Sequence, residues 1–315
     1  IPFLAIQLYF GGMLINVLSD NLIGHGSASI LIGSVMIVYL SVGGFRSLIY
    51  VDSILFLLMI FGIICIGFVT YDLVGGWDLL NESLSRISNI KDNFFNINEN
   101  YSSYISIPGT IKAVNVLDEN LSYNGIWTSS MILTFVFALT GLQLSPNMSM
   151  LTFATKEVDD LGTQQVWFSA FLIGFLLIFF ITPIGVGGIL LGGNEIVNQS
   201  GTNISNILPP NIYPDNYEKV VAHIINLIGD YSFIFFGVLA VCGIAVIQST
   251  ASVYLTTSAI LTRDLIKRFF AKNLGNSHQI FISRIILMVI FILSLILSIN
   301  AEGKVFALGS FSLSI

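Results

Sequence analysis

Charge is scarce in this 315-residue chain. Only 10% of its residues are Asp, Glu, Lys or Arg, against about 25% in a soluble domain. A water-facing surface of the usual kind is therefore excluded. Cysteine is nearly missing. Cys65 and Cys242 are the two present, which rules out a disulfide framework and leaves two small residues within apolar segments. Basic residues are outnumbered, 12 against 18 acidic ones, for a net charge of −6. That balance lacks the cationic footprint of a nucleic-acid partner. No Walker loop, zinc motif or nucleophile elbow occurs. The three histidines, His25, His223 and His278, fall in loops or at span ends without metal-ligand spacing. Neither an enzyme nor a bound cofactor is expected.

What fills the chain instead is apolar sequence, 55% of all residues. Stretches long enough to cross a bilayer recur at about 2–19, 28–44, 48–70, 126–146, 164–191, 232–262 and 279–299, and another begins near 305 and is cut short. A backbone inside lipid must bond to itself, so these spans are helices. The expected class is an all-α polytopic membrane protein, with residues 1–315 forming a single transmembrane domain. The chain opens on Ile1-Pro2-Phe3, with no basic n-region and no small-residue cleavage site. That start is not a signal peptide. Both ends read as cut, so the chain is expected to be an internal portion of a longer protein.

The connections divide by charge. One set carries Arg46, Lys156, Arg263, Lys267, Arg268 and Lys272, with Arg284 just inside the next span. The other holds most of the acids, Asp72, Asp78, Glu195 and Asp230 among them. The positive-inside rule puts the first set in the cytoplasm, consistently for every span, and implies an inner-membrane location. Two outer loops are long, 72–125 and 193–230. The second ends in an apolar-periodic stretch, Val220 to Ile228, that predicts a short helix over the outer face.

Polar clusters within spans call for an explanation. In 232–262, Gln248-Ser249-Thr250-Ala251-Ser252 is followed by Thr256-Thr257-Ser258. Ser249, Ser252 and Thr256 share one helical face, as do Thr250 and Thr257. Such a stripe fits helix–helix glue, the reading composition alone favours. It also fits a site for dehydrated Na⁺, completed by carbonyls of a broken neighbouring helix. Near residue 146, the run Gln143-Leu144-Ser145-Pro146-Asn147 disturbs a helix and frees carbonyls. Apolar sequence resumes at Met148 to Phe153, which favours a broken helix over a plain end. Asp52, near the start of span 48–70, is either interfacial, with Arg46 close by, or functional.

These residues resemble the sodium/solute symporters, the family of sodium/proline, sodium/sugar and sodium/pantothenate carriers. One likeness is the run from Tyr39 through Gly43-Gly44-Phe45-Arg46 to Tyr50-Val51-Asp52. A second, more specific, is Gln248-Ser249-Thr250-Ala251-Ser252 followed by Leu261-Thr262-Arg263-Asp264. Val51 stands where the family often has Thr, Leu55 where it often has Gln, and Gln143-Leu144-Ser145-Pro146 where Gly-Gln-Pro is frequent. The resemblance covers essentially the whole chain. It implies an inverted-repeat fold of five plus five core helices, incomplete here at both ends. It also implies sodium-coupled symport of a small organic solute by alternating access. By resemblance, the Val246 carbonyl and the hydroxyls of Ser249 and Thr250 hold Na⁺, and Asp52 lies on the ion's path to the cytoplasm. Gln143, Ser145, Pro146 and Asn147 would belong to the solute site. Two rivals remain: the membrane sensor domain of a signalling protein, and a proton-translocating subunit. The second expects Lys, Glu or His within several spans, which these largely lack.

Overall fold

The computed structural model describes residues 1–88, 162–192, 208, 217–229, 232–248, 250–270, 272 and 275–300, with a few residues between 133 and 152. Every described element is helical. α1 covers Pro2–Leu18. Next comes the helical stretch His25–Val74, which divides at a kink into α2 (His25–Phe45) and α3 (Ser47–Val74). α4 is Trp77–Ser88. A π-helical segment, Gln164–Ile173, leads into α5, Gly174–Leu191. α6 is Val220–Gly229 and α7 is Phe233–Gln248. α8, Ala251–Ile260, runs on into a π-helical segment, Leu261–Phe270. α9 is Asn276–Ile299.

Among the described residues five stretches are long and apolar enough to cross a membrane. They are His25–Phe45, Ser47–Val74, Phe171–Gly188, Phe233–Phe270 and Asn276–Ile299. Pro2–Leu18 is a shorter apolar helix. Most of the expected span 126–146, and the partial span from 305, lie outside the described residues. Helix stands in two places where a loop is expected, and the expected span 2–19 is the shorter helix α1. Helix continues through Arg263 to Phe270, where a loop was predicted from residue 263. Its charges all fall within an amphipathic turn, which a hydropathy window reads as a break. The loop expected at 72–125 also begins as helix. Trp77–Ser88 is amphipathic, too polar to count as a span, and Leu80 and Ser83 are its buried residues. The helix predicted at Val220 to Ile228 is present.

The chain packs as two compact units. One holds residues 1–65, 142–177 and 225–315, and the other 66–141 and 178–224. In the first unit α1 lies against α7 and α9, and α8 against α9. Leu4 and Leu8 of α1 join Met36 and Leu40 of α2, Tyr254 of α8, and Leu287 and Phe291 of α9 in one buried cluster. α1 and α2 approach closely at Gly12, where an added Cβ would strike Ser29. The Ser29 hydroxyl lies 3.1 Å from the Leu8 carbonyl, and His25 Nε2 donates to the Tyr9 carbonyl at 3.0 Å. At the other end of α1, Asn226 Nδ2 of α6 donates to Asp20 Oδ1 at 2.8 Å. In the second unit, Thr70 lies where a Cβ on Gly187 would fall, and Phe68 stacks near Phe180 at 5.2 Å between ring centroids. Outward faces stay apolar: Val42 and Phe233 are 82% and 83% exposed. Rows of exposed aliphatic and aromatic residues suit contact with lipid tails.

The kink between α2 and α3 depends on Gly44. Its φ of 65° and ψ of −171° lie in a region essentially restricted to glycine. Nothing lies within 4 Å of where a Cβ would stand, so the constraint is the backbone and not crowding. Gly44→Ala is expected to cost about 1–3 kcal/mol, seen as a lower Tm in detergent. Gly237→Ala, in open space on α7 and free of a positive φ, should leave Tm nearly unchanged. Equal behaviour of the two variants would show that the kink is not maintained by Gly44.

Candidate functional site

The Gln248–Ser252 run sits where a membrane span changes its hydrogen bonding. α7 ends at Gln248 and α8 starts at Ala251. At Thr250 the backbone closes tight turns instead of α-helical ones. Thr250 N donates to the Ile247 carbonyl at 3.3 Å, and Val253 N to the Thr250 carbonyl at 3.0 Å. Thr250 Oγ1 also donates to Ile247, at 2.8 Å. This local side-chain bond competes with the helical ladder and helps to interrupt it. The Gln248 carbonyl is met from outside the span: Tyr39 of α2 donates its hydroxyl to it at 3.4 Å. The sequence reading placed a hydroxyl stripe here but no interruption in this span.

Thr250 is buried, as a site residue in a span would be. Its hydroxyl hydrogen is used on Ile247, and the oxygen keeps lone pairs with which to face a cation. Val246 stands one turn earlier on α7. Ser249 lies outside the described residues, as do Gln143, Ser145, Pro146 and Asn147.

Asp52 of α3 faces this region. The Ser252 hydroxyl, on the first turn of α8, hydrogen-bonds its carboxyl group. Asp52 also lies close enough to Tyr39 for its carboxylate charge to act on the phenol. Carboxylate oxygen Oδ1 is buried with no hydrogen-bond partner among the described residues. An orphaned carboxylate oxygen is costly inside a membrane protein and marks a place where a cation is welcome. The link from Asp52 to Ser252 joins residues two hundred positions apart, and no sequence spacing announces it.

The rest of the stripe behaves differently. Thr256 Oγ1 donates to the Ser252 carbonyl at 2.8 Å, and Thr262 Oγ1 to the Ser258 carbonyl at 2.7 Å. Ser258 lies 3.2 Å from Ser283 of α9 and also bonds the Leu255 carbonyl. These hydroxyls bond their own helix or its neighbour, as glue does. The stripe therefore divides, with hydroxyls bonded as glue from Thr256 onward and Thr250 set apart at the interruption.

A model of the sodium:solute symporter family matches residues 3–315. The chain belongs to that family. It is thus a multi-pass membrane protein of a family that couples solute transport to Na⁺, and the symporters are transporters rather than enzymes. In this symporter the matched region includes the kink at Gly44, Asp52 and the interrupted span at once.

The pairing of Asp52 with Ser252 can be checked by stability. Ser252→Ala strips a hydroxyl from a partly buried carboxylate and is expected to cost about 1–3 kcal/mol, read as a fall in Tm of the purified protein in Na⁺-free buffer. An unchanged Tm would mean that the carboxyl group does not depend on Ser252.

Proposed function

We propose that this chain moves a small organic solute with Na⁺ across the cell's inner membrane by alternating access. It does so as one transmembrane domain built on the inverted-repeat fold of five plus five core helices. The observation that carries the proposal is the interrupted span between Gln248 and Ala251, faced by the unpartnered Oδ1 of Asp52.

Na⁺ is a hard cation and takes neutral or anionic oxygens. An interrupted span offers backbone carbonyls at membrane depth beside hydroxyls. The Val246 carbonyl, Ser249 and Thr250 form one wall of the ion site. Binding there pulls the two helical halves together, which favours one orientation of the carrier over the other. Asp52, joined to the far side of the interruption through Ser252, receives the ion as it leaves toward the cytoplasm. Its negative charge lowers the barrier for a cation crossing a region of low dielectric. Gln143, Ser145, Pro146 and Asn147 contribute to the solute site.

Uptake of a transported solute into vesicles containing the full-length protein tests this reading. It is expected to require Na⁺ and to fall at least tenfold in Ser249→Ala and in Thr250→Ala at matched protein levels. A higher Na⁺ concentration should partly restore the rate, because the loss is one of ion affinity. Uptake that persists without Na⁺ and through both substitutions would overturn it.

A further inference from the structure

The first unit contains a cavity of about 450 Å³ beside the Gly44 kink, lined by α2, α8, its π-helical extension and α9. Its size falls within the range of small-ligand sites. Its depth and its mouth have opposite character. Leu40 and Leu287, 2% and 1% exposed, form its buried side, and Leu255 also lines it. At the mouth are Arg263 and Arg284, both exposed. No acidic residue is among those that line it. From Leu255 to Arg263 the helical rise amounts to about 12 Å, and on α9 Arg284 stands about one turn from Leu287, so each wall of the cavity carries both an apolar and a basic residue. The π-helical segment continues the basic face past the mouth. It carries Arg263, Lys267 and Arg268 against one acid, Asp264. Arg268 lies over the Phe269 ring at 5.8 Å, and Phe269 and Phe270 are exposed beside it. Basic and aromatic residues together at a span end are the signature of the headgroup layer.

We infer that this cavity binds one anionic glycerophospholipid, with its phosphate between Arg263 and Arg284 and an acyl chain against Leu255, Leu40 and Leu287. An amphipathic ligand matches both ends of the cavity, whereas a free anion leaves the apolar floor unfilled and a neutral lipid leaves two guanidinium groups without a counter-charge. Basic pockets between spans at the cytoplasmic surface are suited to acidic headgroups, and the positive-inside rule assigns this end to the cytoplasm. A lipid wedged here braces the α2–α3 kink against α9 and against α8, the second half of the interrupted span. The inference does not depend on sodium coupling, and its readout is lipid binding rather than transport.

The test uses purified full-length protein in detergent, titrated with phosphatidylglycerol, with phosphatidylcholine of the same acyl chains, and with inorganic phosphate. Binding is read by native mass spectrometry and by Tm. Phosphatidylglycerol should bind at one saturable site and raise Tm, with phosphatidylcholine and phosphate doing neither. The double variant Arg263→Gln/Arg284→Gln changes two exposed side chains, and should weaken that binding roughly tenfold or more, at about one tenfold step per 1.4 kcal/mol. Ala259→Phe fills the cavity without altering charge and should weaken it as well. Equal binding of the two lipids, stabilisation by phosphate alone, or undiminished phosphatidylglycerol binding in the double arginine variant would each overturn the proposal.

Discussion

A peptide group inside hydrocarbon has no water to bond, so a span must close its own hydrogen bonds or find a partner for each one left open. The organisation of this symporter follows from that constraint. Where the ladder is complete the described helices present Val, Leu, Ile and Phe outward. Where it is interrupted, between Gln248 and Ala251, each displaced group needs a partner. Thr250 Oγ1 takes up Ile247, Tyr39 reaches across from α2 to Gln248, and Ser252 turns to Asp52. Asp52 Oδ1, one of the buried polar atoms without a hydrogen-bond partner among the described residues, is an anionic oxygen whose cost a cation would offset.

The surroundings keep this interruption in place. Tyr254, one turn beyond it, is fully buried in the cluster that Leu4, Leu8, Leu40 and Leu287 also form. α8 is therefore anchored by packing while its first turn is left for polar contacts. Gly44 supplies the second break in regular helix. It lets α3 leave α2 at an angle a residue with a Cβ would resist, and so allows Tyr39 and Asp52, thirteen positions apart, to face the same interruption from two helices. The Arg263 and Arg284 cavity lies beside that kink. One departure from regular helix thus adjoins both the Tyr39–Gln248 contact and the cavity lined by the two arginines.

Much of the architecture was legible in hydropathy. Spans predicted at 28–44, 48–70 and 279–299 appear as His25–Phe45, Ser47–Val74 and Asn276–Ile299. Errors fell where amphipathic helix replaced loop, at Trp77–Ser88 and Leu261–Phe270. Window averaging cancels the two faces of such a helix, so it looks polar throughout. The hydroxyl stripe was visible as composition, but its division was not. Thr250 and Thr256 are the same residue type in the same span. What separates them is that Thr250 sits in the interruption and Thr256 bonds back to Ser252 within intact helix.

Composition and patterning by themselves determined that the chain crosses a membrane, which ends carry positive charge, and which motifs it shares with sodium:solute symporters. These are properties of linear order, because lipid selects apolar runs of fixed length and charge selects the side on which their ends remain. Tertiary structure alone decided that Asp52 meets Ser252, that Tyr39 meets the Gln248 carbonyl, and that Arg263 and Arg284 share the mouth of one cavity. Each joins residues from separate helices. Which faces of those helices meet is set by side-chain packing in the Leu4–Leu287 cluster, and no local spacing encodes it.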